Sequence, residues 1–448
     1  MENTILYQWL IVILGSLALI AIAPISRTVN EFFKANTKTG QPGFWMLTSS
    51  LVISWIFAKS ITNAANLGLN FGMVGGVAYA TYYLSFLVAG VIIYQMRTKG
   101  GFQSIHHFLE SRYGKGAMLL FSVLISIRLF NEVWSNTMVI GSYFGEMGST
   151  PYYVSVLVFT ILTLIYSLKG GLRSSLLTDL IQMVLFGVLL FIILGILIPD
   201  EGGDVGKFVT SGNWTLAGGL NLLLVALIQS FSYPFHDPVL TDRGFISEPK
   251  VTLKSFIWAT FIGAACIILF SFVGVYASFK GLDGQAAVKV SQLLGGITLL
   301  SMNFIMVTSA ASTLDSTFSS FAKLAVLDLG KPEKATVSKG RWAMVILVIL
   351  GTLPVFMGPE ILSATTVSGT MVLGLAPVFI FWKTKMPAIS YHLSVGTGLL
   401  MGILLASGAV PESWIFFDGK YGDLLSVNII GTLISFGLFW LPKLIKRK

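Results

Sequence analysis

The sequence predicts an all-α polytopic membrane protein of about thirteen transmembrane helices, and three observations carry that expectation. Only 11% of its 448 residues are charged and 54% are hydrophobic, where a soluble domain carries about 25% charged residues. Mean hydropathy is +0.81. The apolar residues gather in thirteen runs, each close to the roughly 20 residues that cross about 30 Å of hydrocarbon as a helix.

The runs lie at about 4–24, 44–66, 71–96, 116–143, 151–167, 174–198, 214–235, 253–279, 294–321, 340–357, 360–382, 387–408 and 422–442. No polar stretch between them exceeds about twenty residues, so one membrane body over 1–448 is expected, with no separate soluble domain. The opening MENTILYQ has no basic segment and its apolar run is too long for a signal peptide, so it should stay as the first span.

An odd number of spans puts the termini on opposite faces. One set of alternate loops, with the tail KLIKRK, holds 23 of the 29 Lys and Arg residues. The other set holds only Lys207, Lys280, Lys289 and Lys420, while Lys59 and Arg128 fall inside spans. Basic residues in short loops favour the cytoplasmic side, which predicts the N-terminus outside and the C-terminus inside the cell membrane. The same dispersal accounts for the net charge of +9 and argues against nucleic-acid binding, which gathers basic residues on one face. Cys266 is the single cysteine and is read as packing in FIGAACIILF. Of the four histidines, at least three are expected at the surface, and none belongs to a metal-ligand cluster.

Charges and helix breakers inside spans mark pathways or sites by default. The second span carries SWIFAKSITNAANLG, polar or small at many positions and with Lys59 in its middle. The fourth carries ISIRLFNEVWSN, in which Arg128 and Glu132 stand four apart. An intrahelical ion pair is the simplest account of them; a solute or gating role is the alternative. The sixth opens with KGGLRSSLLTDLIQM and places Asp179 about two turns into the membrane. A buried carboxylate there must be paired, protonated or bound to a cation, and Lys59 or Arg128 is the expected structural partner. The seventh carries IQSFSYPFHDP, where Pro234 removes a backbone donor and kinks the chain. The ninth, NFIMVTSAASTLDSTFSSF, is crowded with hydroxyls: Thr308, Ser312 and Ser316 share a face and Ser309 adjoins it. Such hydroxyls either bond within and between helices or, with free carbonyls of an unwound neighbour, form a neutral oxygen cage for an alkali cation.

The interrupted second and seventh spans are five places apart in the order. That spacing predicts two five-helix repeats, spans 2–6 and 7–11, each opening on a discontinuous helix. Two merely kinked structural helices are the plainer alternative.

GGLRSSLLTDLIQ, from Gly170 to Gln182, resembles the glycine pair and Thr-Asp-x-x-Gln signature of the sodium/solute symporter family of sugar, proline, urea, monocarboxylate and sialic-acid transporters. VTSAASTLDSTFSSF is similar to that family's hydroxyl-rich helix, and SIHHFLESRYGK at 104–115 to its short cytoplasmic segment. The resemblance covers about residues 40–385. It implies a five-plus-five inverted-repeat core of the LeuT type. An extra helix and loop over 1–43 precede the core, the repeats occupy 44–198 and 199–385, and two C-terminal helices occupy 386–448.

It further implies a sodium ion held by the carbonyls of Ile53, Ile56 and Ile305 and the hydroxyls of Thr308 and Ser309. A second sodium in some members would use Asp179, Thr308 and Ser312, although Ala311 stands where another hydroxyl would help. Lys59 departs from the family, whose members more often carry a neutral or acidic residue there. It could meet an anionic group of the solute, balance Glu132 or Asp179, or take the place of a cation or carry the coupled proton. Tyr79 and Tyr82 align with solute-facing positions of the sugar-transporting branch, though tyrosines also pack or anchor at interfaces. Ser60 beside Lys59, and Gln229 and Tyr233 at the second break, complete the substrate-binding candidates.

The expectation from residues and resemblance together is a secondary active transporter, not an enzyme. It would be a monomer in the lipid bilayer, coupling sodium to symport of a small organic solute by alternating access. A proton-coupled or uncoupled carrier in which Lys59 replaces the cation is the alternative. A membrane sensor that binds solute without moving it is the alternative of another class, weakened because the chain ends six residues after its last predicted span.

Overall fold

The computed structural model describes residues 2–37, 40–358 and 368–445. Ten single helices in it are long and apolar enough to cross a membrane, and one bent pair makes an eleventh span. The order along the chain is α1 (Glu2–Ile22), the bent pair α2 (Phe44–Trp55) and α3 (Ala58–Phe71), then α4 (Met73–Thr98). A short amphipathic helix α5 (Ile105–Tyr113) leads into α6 (Lys115–Phe144), α7 (Thr150–Gly170) and α8 (Leu172–Asp200). The second half runs through α9 (Asn221–Gln229), α10 (Pro238–Arg243), α11 (Pro249–Phe279), α12 (Ala286–Leu294), α13 (Gly296–Lys323) and α14 (Val337–Thr352). It closes with α15 (Ala388–Ala406) and α16 (Gly422–Ile445).

The thirteen runs of the sequence differ from this count at two places. The seventh is split into the short α9 and α10 around irregular chain, too short on either side to span alone. The eleventh begins at 360, in a stretch that lies partly outside the described residues.

Burial ranks the helices by position. The apolar window of α13 is 78% buried, that of α8 33% and that of α1 22%. The hydroxyl-rich helix is therefore the axis of the body, and α1 and α8 face lipid. That ordering follows from the solvent: polar side chains are costly in hydrocarbon and retreat to the interior, while lipid-facing surfaces stay apolar.

Apolar burial does little to hold helices together in lipid, so close packing and interhelical hydrogen bonds take its place. Gly68 on α3 lies against the Ser271 backbone of α11, and Gly274 on α11 against the Ala65 carbonyl of α3. A side chain at either position would push the two helices apart. Between α7 and α8 the chain reverses through Gly171 at φ 55°, a left-handed backbone that favours glycine, which explains the second glycine of the GGLRSS segment.

Candidate functional site

The site is built on two breaks. The first ends α2 at Trp55: Ile56 has φ −80°, ψ 63° and Phe57 φ −60°, ψ 150°, and the two half-helices meet at 58°. A broken helix frees carbonyls on one side and N–H groups on the other. The Trp55 carbonyl accepts the Tyr83 hydroxyl at 2.8 Å, and the Lys59 amide donates to Asn136 Oδ1 at 3.2 Å. The second break follows α9. Tyr233–His236 form a single tight turn, and Asp237 caps α10 by accepting the amides of Val239 at 3.0 Å and Leu240 at 3.3 Å.

Four buried charges join the breaks. Lys59 Nζ lies 2.7 Å from Glu132 Oε1, and Glu132 is also paired with Arg128 one turn back on α6. Arg128 Nη2 reaches Asp237 Oδ2 at 3.2 Å, and the same oxygen accepts Trp55 Nε1 at 2.9 Å. Asn136 Nδ2 donates to Glu132 Oε2 at 2.8 Å. The Arg128 guanidinium lies 5.1 Å from the Tyr233 ring centre and 5.5 Å from that of Phe57, while Lys59 Nζ is 5.1 Å from Phe57. Two cations and two carboxylates cancel, which keeps the cluster tolerable at this depth. Of the partners considered for Lys59, the one the structure gives it is Glu132.

The solute candidates form one cluster of hydrogen bonds and aromatic contacts. The Tyr79 hydroxyl donates to Ser60 Oγ at 3.2 Å and accepts from Asn63 Nδ2 at 3.3 Å. The Tyr82 hydroxyl donates to Gln229 Oε1 at 2.9 Å, and Gln229 Nε2 donates to Asn428 Oδ1 on α16 at 2.9 Å. The rings of Tyr79 and Tyr82, Tyr82 and Tyr233, and Tyr233 and Trp55 follow one another at 5.8, 5.8 and 5.7 Å. Ser60, Tyr79, Tyr82, Gln229 and Tyr233 are thus linked to one another, with Lys59 adjoining Ser60.

Helix α13 packs against both halves of the first broken span. Ser316 Oγ lies 3.2 Å from Ser54 Oγ, and Ser309 stands two turns back along the same face of α13, about 10 Å away. The Thr308 hydroxyl donates back within its helix, 2.9 Å from the Phe304 carbonyl and 3.0 Å from that of Ile305. Its lone pairs are left facing outward. Ser309 is fully buried and its hydroxyl makes no hydrogen bond. A buried unsatisfied hydroxyl asks for a partner, and a small cation suits a neutral oxygen donor of this kind.

Asp179 departs from expectation. Its partner is neither Lys59 nor Arg128 but Arg243, whose Nη2 lies 3.1 Å from Oδ2. Ser50 and Ser312 each donate to the same carboxylate at 2.5 Å. The reason lies in α10: charge counting assigned Arg243 to a cytoplasmic loop, but the turn at Asp237 sends it back under the bundle, where it is fully buried. Arg243 thus supplies the opposite charge to the carboxylate that a second sodium would use.

Toward the end predicted to be cytoplasmic, Lys323 joins Asp242 at 2.7 Å and Asp328 at 3.0 Å, and His106 Nδ1 stands 3.8 Å from Asp328. These side chains line a cavity of about 460 Å³. Burial pushes the His106 imidazole down to about 4, against the pull of Asp328.

Asp237, Arg243 and Asn136 were not singled out in the sequence. Asp237 had a signal, Asp-Pro after a kinked helix being a helix-start pattern; the other two had none, because only the three-dimensional return of the chain brings them in.

Broken helices meeting across a hydroxyl-rich helix define the LeuT fold class. A Na+-coupled sialic acid symporter, solved in a substrate-bound outward-open state, superposes with a TM-score of 0.72 at 16% identity over 97% of this chain and 96% of that one. Residues 32–230 match the family model described as Sodium:solute symporter family. It is 23% identical to the urea active transporter of Saccharomyces cerevisiae, over 64% of this chain and 44% of that protein. It is 20% identical to the urea-proton symporter DUR3 of Oryza sativa subsp. japonica, over 92% of this chain and 66% of that one. The chain thus matches about half to two thirds of the length of these relatives.

Proposed function

We propose that the chain is a secondary active transporter of the cell membrane that couples sodium entry to symport of a small polar solute by alternating access. Its N-terminus lies outside and its C-terminus in the cytoplasm. The observation that carries the reading is the buried, unbonded Ser309 hydroxyl beside Thr308, on the helix that packs against both halves of the broken span. Sodium held there by the carbonyls of Ile53, Ile56 and Ile305 and the hydroxyls of Thr308 and Ser309 would tie α13 to the broken span. It would thereby order the solute space beside it. Such coupling works equally in both directions, so solute raises the affinity for sodium as sodium raises that for solute.

The solute we propose carries no net charge. Lys59 is occupied by Glu132 at 2.7 Å and Arg128 by Glu132 and Asp237, so the lining offers hydrogen bonds and aromatic faces and no spare charge. A thermal-shift screen of the purified chain against small metabolites, with and without sodium, identifies the solute as the one whose stabilisation needs both. With that solute in hand, replacing both Thr308 and Ser309 by Ala abolishes sodium-driven uptake into proteoliposomes. Unchanged uptake would remove the site.

A second reading has Lys59 carrying the coupled ion's role, and its position three residues past the break favours it. The rice relative, a urea-proton symporter, fits that reading. Sodium-independent, pH-dependent uptake that is lost in Lys59→Gln would select it.

A further inference from the structure

One buried charge remains without an opposite. Asp315, on the inner half of α13, is fully buried, as are Asp179 and Arg243 beside it. The single guanidinium here is committed. Arg243 Nη2 donates to Asp179 at 3.1 Å and to Ser316 at 2.7 Å, Nε to Ser50 at 2.6 Å and Nη1 to the Val239 carbonyl at 2.8 Å. Among the described residues Asp315 makes no ion pair. Two buried carboxylates therefore share one cation, and a bare second carboxylate in such a place is costly by several kcal/mol.

The hydroxyls around Asp315 say where the missing positive charge sits. Thr178 Oγ1 is 2.9 Å from Asp315 Oδ2, but also 3.0 Å from the Ser174 carbonyl and 3.0 Å from that of Ser175. A hydroxyl has one hydrogen and two lone pairs. If it follows the usual habit of a helical threonine and donates to its own helix, it presents a lone pair to Asp315. Tyr166, which lies against Asp315 from α7, donates its hydroxyl hydrogen to the Ala311 carbonyl at 3.0 Å, so it too has lone pairs to offer. Beside Tyr166 the wholly buried Gln182 amide has neither its N–H2 nor its C=O hydrogen-bonded. The hydroxyls left to donate are both shared: Ser316, at 3.3 Å from Oδ1, with Ser54, Ser175 and Arg243, and Ser175 with Asp179 and Ser316.

We propose that Asp315 holds a proton in this conformation, at a site separate from both the sodium position and Lys59. One O–H bond forms on a carboxylate oxygen, the proton comes from water, and nothing is oxidised. The acid then donates to Thr178, and the cluster of two acids and one guanidinium becomes neutral. The ionisable groups facing it are Asp179 from α8, Arg243 from α10 and Tyr166 from α7; α2 brings only the hydroxyls of Ser50 and Ser54. Withdrawal of Arg243 from Asp179 as α10 moves would change the charge around this proton, which makes it a candidate for release during the transport cycle.

The inference stands without the sodium reading, and its test needs no solute. Infrared spectra of the purified full chain in neutral buffer should contain the C=O stretch of a buried carboxylic acid, downshifted in heavy water. Asp315→Asn should lose that band, and Lys59→Gln should keep it. Thr178→Val should move it to higher frequency by removing its acceptor, and this variant reads the acid without touching it if Asp315→Asn does not fold. A band unchanged in both Asp315→Asn and Thr178→Val, or no band in the wild type, would overturn the proposal. A band seen only when choline replaces sodium would overturn it too, by giving the place to a metal ion.

Discussion

At the scale of single residues the charged quartet sets the terms. Glu132 serves two cations, Lys59 and Arg128, and removing its charge leaves Asp237 to balance both. Breaking a buried pair by deleting one partner costs about 3–5 kcal/mol, so Glu132→Gln should unfold at clearly lower temperature in detergent. Lys59→Met combined with Glu132→Gln restores the balance and should recover most of that loss. Equal loss in the single and double variants would mean that the lysine is held by something other than Glu132. The sequence made Lys59, Arg128 and Glu132 legible because charges are rare in an apolar run. It could not choose among partners for Lys59, since the choice depends on which turn of α6 faces the break.

At the scale of elements, two contacts decide how the helices can move. The α3 and α11 pair is close because Gly68 and Gly274 lack side chains, and a Cβ at 274 would run into the Ala65 carbonyl. Gly274→Val should lower the yield of folded protein, whereas a valine at the lipid-facing Gly187, which has open space around it, should not. The second contact is the latch of Lys323 with Asp242 and Asp328, which ties the end of α13 to α10 with His106 alongside. Burial holds His106 down to about 4, so the folded protein keeps it neutral where the unfolded chain, near 6.5, would take up a proton. The unfolded state binds more protons in that window, and stability contributed by this group is present above about 6.5 and lost as pH falls toward 4, by at most about 1.4 kcal/mol per pH unit. His106→Gln should flatten the acid side of a thermal-stability profile over that range; an unaltered slope would place the acid sensitivity elsewhere.

At the scale of the whole molecule, the broken spans and the hydroxyl helix were readable because membrane helices tolerate Pro, Gly and polar runs only where they line an interior. The five-place spacing of the breaks carried the repeat organisation. What the sequence hid was the return path of short segments: α10 looks like a cytoplasmic loop by charge, yet it delivers Asp237 to the first break and Arg243 to Asp179. The proposed sodium ion lies between the first break and α13. Binding of radioactive sodium to the purified chain tests this without knowledge of the solute. Saturable binding of one ion per chain is expected, lost in Ser309→Ala and retained in Asp315→Asn. Binding that is unaffected by Ser309→Ala, or absent from the wild type, would contradict it.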